Sequence, residues 1–261
     1  MCEQCRIAPK RPCGPVALLG ALGRTARRSL YAVVLDLGCG KGEYTVECAA
    51  ARPDVLFVGL DVDGVCVMRA AERAIAQGVS NAVFVLHDDS DLSETFGEGE
   101  LSAMLLNFPT PFPKKKKAHY RLTHFERLMS YRPLLAPGAF VRLRTDSMPL
   151  RDFSLTQLKI AGYDVQWNTD DVRGMFPNEP WSGYEHKLVA QGAPYAVCGG
   201  AGTCAGKPAA NRAALACELS ARQPRSARVC PARNAGCVEN LRNRNARERA
   251  RGKQEFRPPV I

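Results

Sequence analysis

The sequence predicts an α/β fold with a mostly parallel, seven-stranded sheet and helices on both faces. From residue 31 onward, short apolar runs alternate with stretches of helical periodicity. A glycine-rich run follows the first apolar run directly, and acidic residues stand where the early apolar runs end. Such alternation is typical of parallel sheets, because each crossover helix packs against one face. In open sheets of this kind, ligands bind outside the carboxyl ends of the strands.

The individual elements follow from residue type and spacing. Strands are predicted where β-branched and other apolar residues form short runs. These runs are 31–37, 55–61, 82–88, 101–108, 138–146 and 163–168, with a last strand-like piece near 185–197. Helices are predicted where apolar residues recur at helical spacing. These segments are 42–51, 64–78, most of 118–135, and 149–161.

Composition divides the chain into a basic extension over 1–30, a domain over 31–198 and a basic tail over 199–261. The net charge is +5 for the extension, −4 for 31–195 and +9 for 196–261. The tail has one aromatic residue and little periodicity, which predicts a mostly disordered segment. Basic ends on an acidic body indicate a polyanionic partner such as nucleic acid. Basic tails that only increase solubility are the alternative.

The eleven cysteines indicate a reducing compartment. Several of them lie within apolar or glycine-rich segments, where small thiols are commonly buried. Cys2 and Cys5 form one CxxC, but no second CxxC or histidine pair completes a zinc site, so no metal is predicted. No apolar run approaches the roughly 20 residues of a transmembrane helix. We therefore expect a cytoplasmic monomer or homodimer without a membrane partner.

The stretch VVLDLGCGKGEY carries the most specific signal in the chain. Asp36 ends the first predicted strand, and every second residue after Leu37 is a glycine: Gly38, Gly40 and Gly42. Glycines allow a sharp turn and let a ligand lie against the backbone. A dinucleotide site would need G-x-G-x-x-G and would hold a pyrophosphate, which the carboxylate of Asp36 would repel. That carboxylate instead suits a ligand carrying an ammonium and a sulfonium, which is S-adenosylmethionine.

Two more acids support this interpretation. Asp61 ends the second predicted strand, where a carboxylate can accept hydrogen bonds from two ribose hydroxyls. Asp88 ends the third, where an acid can accept a hydrogen bond from the adenine amino group. Glycine turns and caps that bind no ligand are one alternative, and a nicotinamide site is another.

The second half of the chain adds three motifs: NFPTPFPKKKK over 107–117, LAPGAFVRLRTD over 135–146 and SGYEHKLVAQGAPYAV over 182–197. Together with DLGCGKGEY, they resemble the bacterial tRNA (guanine-N7)-methyltransferase family over roughly residues 33–197. The resemblance implies a Rossmann-like class I methyltransferase fold. It also implies transfer of a methyl group from S-adenosylmethionine to N7 of a guanine in the tRNA variable loop, a tRNA modification.

The resemblance implies roles for individual residues. The cofactor site would include the three glycines together with Asp36, Asp61, Asp88, Asn107 and Thr110. The tRNA or target guanine would be contacted by Lys114, Asp146, Ser182, Gly183, Tyr184 and Glu185. Thr110 and Asp146 would be the catalytic positions. The chain departs from the family pattern at three positions, because aspartate is usual at Thr110, tryptophan at Phe112 and threonine at Ser182.

The departure at Thr110 leaves the chemistry open. Guanine N7 has a free lone pair, so methyl transfer needs alignment but no general base. A carboxylate near N7 would stabilise the positive charge that passes to the purine, and Thr110 brings none. The enzyme is then slowed, or Asp146 or Glu185 supplies the charge, or the protein binds cofactor or RNA without catalysis. A methyltransferase for another RNA or for a small molecule is a further alternative.

The proline loop over 107–117 cannot be helical, because prolines stand at every second position. We expect the loop to be stiff and Lys114–Lys117 to meet RNA phosphates. The alternative is an ordinary solvated lysine run. Phe112 packs either against the extruded base or against the surface. Arg142 and Arg144 either face RNA or pair with nearby acids.

Overall fold

One mixed β-sheet runs through the part of the chain that the computed structural model describes, residues 7–8, 32–88, 91–190 and 198–204. Its strands are β1 (Ile7–Ala8), β2 (Ala32–Leu37), β3 (Val55–Asp61), β4 (Ala82–Leu86), β5 (Leu101–Asn107), β6 (Leu135–Thr145), β7 (Tyr163–Thr169) and β8 (Cys198–Cys204). Their order across the sheet is β1-β4-β3-β2-β5-β6-β8-β7. Neighbours from β1 through β6 are parallel, whereas β8 is antiparallel to both β6 and β7.

The helices alternate with the strands along the chain. They are α1 (Glu43–Ala51), α2 (Gly64–Ala76), α3 (Phe125–Tyr131), α4 (Met148–Ile160), α5 (Val172–Met175) and α6 (Gly183–Ala190). Short 3₁₀ helices cover Leu92–Glu94, Lys115–Tyr120 and Arg132–Leu134. Within the described ranges, no helix combines the length and apolar content that a membrane crossing requires.

The central strands are buried on both faces, as expected for a parallel sheet with helices on either side. On one face, the small residues Ala70, Ala71 and Ala74 of α2 pack with α1 against Phe57 and other side chains of the sheet. On the other face, side chains from α3 and α4 pack in a separate cluster that includes Phe153. This double layer explains why the strands are continuous apolar runs.

The site region is set by the connections of β2. The chain runs from β2 to β3 and β4 on one side, and then returns to β5 on the other side of β2. At such a switch point, the crossover connections leave the carboxyl ends of adjacent strands in opposite directions, and a crevice opens between them. The residues that follow β2, β3 and β5 therefore meet at one edge of the sheet.

The predicted α/β fold class is confirmed, but the predicted count of seven strands is wrong. The described residues form an eight-stranded sheet, because the two-residue strand β1 pairs with β4 at the edge. The strand expected near 185–197 is also misplaced, since 183–190 is helical and the last strand is Cys198–Cys204. This strand crosses the expected domain boundary at 198. Residues 205–261, and all but two residues of the predicted 1–30 extension, lie outside the described ranges.

The helix expected over 118–135 is interrupted. Residues 115–120 form a 3₁₀ helix, Arg121 is extended (φ −67°, ψ 132°), and α3 begins only at Phe125. His124 starts α3, because its Nδ1 accepts a hydrogen bond from the Glu126 amide at 3.4 Å. The extended backbone at Arg121 directs its side chain into the interior, where it is fully buried.

Gly42 is required where α1 crosses α2. Its φ of 72° lies in the left-handed region, and an added Cβ would lie 2.5 Å from Cβ of Ala70. We expect Gly42→Ala to lower the free energy of unfolding by about 2–4 kcal/mol, from backbone strain and overpacking together. Chemical denaturation measures this loss.

Gly78→Ala is the matched control for this prediction. Gly78 has a similar φ of 64°, but nothing lies within 4 Å of an added Cβ. We expect a loss of about 1–2 kcal/mol from the backbone alone. Equal losses in the two variants would contradict the steric argument.

Candidate functional site

Two adjoining cavities lie at the carboxyl ends of β2, β3 and β5. The first cavity, of about 350 Å³, extends from the glycine-rich loop after β2 to the start of α6. The second cavity, of about 390 Å³, extends from the end of β3 to the proline loop after β5. Gly38, Asn107 and Phe108 line both cavities. The crevice predicted at the switch point is therefore present and continuous.

Asp36 provides a buried carboxylate that lines the first cavity. The residue is only 1% exposed. Its carboxylate accepts hydrogen bonds from the Thr45 hydroxyl at 2.6 Å and from the Asn107 side-chain amide at 3.0 Å. Burial raises the pKa of Asp36, although both hydrogen bonds oppose the rise. Asp36 and Asn107, both predicted site residues, are thus in direct contact.

The glycine-rich loop presents bare backbone to the cavities. Gly38 and Gly40 have φ of 80° and 55°, and an added Cβ at either residue would meet nothing within 4 Å. This open space lets a ligand lie directly against the peptide groups. Gly42 differs, because it packs against α2 and lines neither cavity. Only two of the three predicted glycines therefore face the site.

Asp61 brings a second carboxylate to the crevice. It ends β3 and lines the second cavity. One of its oxygens accepts from the Gly40 amide at 2.9 Å, and the other accepts from the Asp63 amide at 2.9 Å. Each carboxylate oxygen has two acceptor positions, so Asp61 fixes the glycine loop and can still accept hydrogen bonds from a ligand.

Asp88 is not brought to the cavities. Its side chain is 69% exposed, and its Oδ1 lies 3.8 Å from Nδ1 of His87. It lines neither cavity. The chain continues through residues 89–90, which lie outside the described ranges. Of the three acids predicted at strand ends, the described crevice contains two.

The proline loop is held by a buried arginine that the motif analysis did not single out. The guanidinium of Arg121 donates to the carbonyls of Pro111 at 3.2 Å and of Phe112 at 2.9 Å, and it lies 4.3 Å from the ring centroid of Phe153. Thr110 lies in this loop and lines the second cavity. A buried, multiply bonded anchor of this kind fixes where Thr110 points.

Two phenylalanines of the same loop have left-handed backbone. Phe108 has φ of 50° and Phe112 has φ of 39°, values that are costly for bulky residues. The ring of Phe112 contacts the ring of Tyr120, with centroids 5.7 Å apart, and both rings line the second cavity. Phe112 therefore packs against a neighbour and also faces the crevice, so the two sequence alternatives are not exclusive.

Asp146 lies behind an aromatic pair. The Tyr184 hydroxyl donates to the Asp146 carboxylate at 3.1 Å, and the Tyr184 ring packs on Phe108 with centroids 4.9 Å apart. Both aromatic residues line the first cavity, whereas Asp146 lines neither. Burial raises the pKa of Asp146, and the Tyr184 hydrogen bond opposes the rise.

Ser182 and Glu185 form a capping box that starts α6. The Glu185 amide donates to the Ser182 hydroxyl at 3.2 Å, and the Ser182 amide donates to the Glu185 carboxylate at 2.8 Å. Ser182, Gly183 and Tyr184 line the first cavity, but Glu185 is fully buried and lines neither. The contact with substrate that the resemblance implies for Glu185 is therefore not available in this structure.

A buried ionic network accounts for Glu185 and for the two arginines of β6. Arg144 donates to Glu185 at 2.7 Å, and Arg173 donates to the same oxygen at 2.8 Å. Arg142 pairs with Glu179 and also donates to the hydroxyl of Tyr44. Of the alternatives for Arg142 and Arg144, the structure supports pairing with local acids. Because Arg173 lies in the four-residue helix α5 and Glu179 lies in the turn after it, neither segment is long enough to show a periodic pattern in the sequence.

The lysine run is exposed and lies outside the cavities. Lys114–Lys117 lead into and open the 3₁₀ helix after the proline loop, and all four side chains are exposed. They line neither cavity. Lys41 and Lys187, which the motif analysis did not use, do line the first cavity.

Comparison with known proteins gives consistent results. Residues 31–197 match a family model described as "Putative methyltransferase". The chain is 31% identical to a "tRNA (guanine-N(7)-)-methyltransferase" of Christiangramia forsetii, over 63% of this chain and 75% of that protein. It is 34% identical to a protein of the same name from Limosilactobacillus reuteri, over 61% and 76%.

Solved structures agree on the fold. The 16S rRNA methyltransferase KamB superposes with a TM-score of 0.54 at 18% identity, over 69% of this chain and 90% of that chain. At this identity the match supports the methyltransferase-like fold alone.

The role of Arg121 can be tested by Arg121→Lys. Lysine cannot bond two carbonyls while stacking on Phe153, so we expect the proline loop to open more often. Hydrogen exchange at the amides of Phe108, Thr110 and Phe112 should become about tenfold faster or more, as measured by mass spectrometry.

Arg132→Lys is the matched control. Arg132 also donates to two carbonyls, those of Ala161 and Gly162, and also lies against an aromatic ring, that of Tyr163. We expect a comparable loss of global stability with unchanged exchange in the proline loop. Equal acceleration in both variants would show that Arg121 has no specific role in holding the loop.

Proposed function

Because the chain belongs to the tRNA (guanine-N7)-methyltransferase family, we propose that it transfers a methyl group from S-adenosylmethionine to N7 of a guanine in the variable loop of tRNA. The observation that carries this proposal is the buried Asp36 carboxylate beside the open backbone of Gly38 and Gly40. A cytoplasmic location is part of the same proposal, because tRNA is modified there.

The residues of the crevice fit S-adenosylmethionine. Asp36 would accept from the ammonium of its methionine moiety, and the backbone at Gly38 and Gly40 leaves room for the ligand. Asp61 would accept from the ribose hydroxyls, since its oxygens retain acceptor positions. Asp88 remains a proposal for the adenine amino group. When bound, the cofactor supplies an electrophilic methyl group on a sulfonium.

The protein's contribution to the reaction is alignment and charge. Guanine N7 has a lone pair and loses no proton, so no residue has to act as a general base. The stiff proline loop and the aromatic pair of Phe108 and Tyr184 would orient the purine beside the cofactor. Tyr184 also connects the first cavity to the Asp146 carboxylate through its hydroxyl.

Asp146 is the residue that fits the charge-stabilising role. Family members usually have aspartate at position 110, and Thr110 brings no charge. Glu185 was the other candidate, but both of its carboxylate oxygens accept hydrogen bonds within the buried network. The Asp146 carboxylate accepts a hydrogen bond from the hydroxyl of Tyr184, and Tyr184 faces the cavity. We assign it the electrostatic role.

The tRNA would lie across the surface beside the proline loop. Lys114–Lys117 are exposed at the end of the loop that carries Thr110 and are suited to phosphate contacts. The basic ends of the chain, with net charges of +5 and +9, would add sequence-independent attraction. Thr110 supports one second candidate function, a protein that binds cofactor and RNA without methyl transfer.

Methyl transfer to unmodified tRNA tests the proposal. We expect incorporation of label from S-adenosylmethionine, and borohydride–aniline cleavage at one guanine of the variable loop, which reports 7-methylguanine.

Asp36→Asn should weaken binding of S-adenosylhomocysteine in calorimetry by about ten- to hundredfold, because it removes the charge on a buried acceptor. Asp164→Asn, an exposed residue of β7, should leave binding unchanged.

The alternatives give distinct results. Methylation at another position would identify a different RNA methyltransferase. Binding of S-adenosylhomocysteine and tRNA without methyl transfer would support the non-catalytic candidate. No binding of S-adenosylhomocysteine by the folded chain would contradict the proposal altogether.

The missing carboxylate can be restored by Thr110→Asp. A preorganised charge at a reacting centre is commonly worth about 2–4 kcal/mol, so the rate of methyl transfer should rise by at least about tenfold. Single-turnover measurements with tRNA give this rate. Thr110→Asn is the control, since it matches the size of aspartate without the charge. Equal rates in the two variants would show that charge at position 110 does not limit the reaction.

A further inference from the structure

Two lysines from separate elements line the first cavity together with a buried acid. Lys41 lies in the glycine-rich loop, and Lys187 lies on α6. Both side chains are exposed, whereas Asp36 in the same cavity is 1% exposed. The cavity wall therefore combines one buried carboxylate with two exposed ammonium groups.

The other carboxylate of this cavity is already engaged. Glu43 pairs with Arg73 at 2.9 Å, and its carboxylate fills the space beside Gly183, where an added Cβ would lie 1.3 Å from Oε2. Within the described ranges, neither Lys41 nor Lys187 has a carboxylate within ion-pair distance. The two ammonium groups are thus available to a ligand.

The charge of Lys41 acts on the cavity. Burial raises the pKa of the Cys66 thiol, and the Lys41 ammonium opposes that rise. Cys66 lines the first cavity, so the positive charge of Lys41 acts on a side chain of the cavity wall. The loop that carries Lys41 is fixed, because Arg73 donates to the Lys41 carbonyl at 3.3 Å.

An α-amino acid group has the charges that complement this arrangement. Its ammonium suits a buried carboxylate, and its carboxylate, attached to the same carbon, suits cations close by. We infer that Lys41 and Lys187 bind the carboxylate of the cofactor's methionine moiety while Asp36 binds its ammonium. This inference rests on the proposed function, since it assigns residues to one end of the proposed cofactor.

The assignment connects cofactor binding to the RNA side of the site. Lys187 lies on the helix whose first turn supplies Ser182, Gly183 and Tyr184 to the same cavity. A ligand carboxylate held between Lys41 and Lys187 would join the glycine-rich loop to α6. The loaded site would then hold Tyr184 in place for the purine.

Calorimetry with three ligands tests the assignment. S-adenosylhomocysteine has both charges of the amino acid group, decarboxylated S-adenosylmethionine lacks the carboxylate, and 5′-methylthioadenosine lacks both. We expect Lys41→Gln and Lys187→Gln each to weaken S-adenosylhomocysteine binding about three- to tenfold, and the double variant to weaken it more. Binding of the other two ligands should not change. Lys159→Gln, at an exposed position on α4, is the matched control and should bind all three normally.

Each other outcome overturns the assignment. Unchanged affinity for S-adenosylhomocysteine together with weaker tRNA binding would show that these lysines contact RNA phosphates instead. Equal losses for S-adenosylhomocysteine and decarboxylated S-adenosylmethionine would show that they act on the site without binding the carboxylate. Failure of the unaltered chain to bind S-adenosylhomocysteine would be distinct, because it would remove the proposed function itself.

Discussion

The hydrogen bond from Asn107 to Asp36 joins the carboxyl ends of β2 and β5, the strands between which the crevice opens. A buried carboxylate is costly unless it is bonded, and the side chains of Thr45 and Asn107 each donate a hydrogen bond to the Asp36 carboxylate. The raised pKa of Asp36 shows that these bonds do not fully offset the loss of water. A cationic ligand group beside Asp36 would therefore stabilise the ionised form. The same contact fixes Asn107, from which the proline loop starts, so one hydrogen bond positions both Asp36 and the start of that loop.

The ionic network beneath α6 is a second buried arrangement of charge, and its role is positional. Arg144 and Glu185 are almost completely buried, and such pairs usually gain little net stability after desolvation. Removing one partner alone would leave an uncompensated buried charge, which is strongly destabilising, so the members of the network depend on one another. It joins β6, through Arg144, to the capping box of α6, through Glu185. The first turn of α6, which faces the first cavity, therefore has one well-defined position relative to the sheet.

Sequence reasoning predicted what depends on local pattern. The alternation of apolar runs placed β2 to β7 within a few residues. The glycine-rich motif and the motifs of the second half led to the family, which the comparisons confirm. It failed where tertiary contacts decide. The break before α3 depends on Arg121, whose buried position is set by the carbonyls of the proline loop. The family resemblance implied that Glu185 contacts the substrate, yet its three-residue spacing from Ser182 is also the pattern of a capping box.

Backbone strain in the proline loop is the last link between fold and chemistry. The left-handed conformations of Phe108 and Phe112 cost on the order of 1–3 kcal/mol each, and glycine at either position would relieve that cost. The two aromatic rings explain why glycine is absent, since Phe108 packs on Tyr184 and Phe112 packs on Tyr120.

The proline loop is held in this conformation by hydrogen bonds from Arg121, whose own position is fixed by Phe153 and by full burial. The core of the protein thus stabilises a strained loop whose aromatic side chains line both cavities, and rigidity at that point is what alignment of a purine with a methyl donor requires.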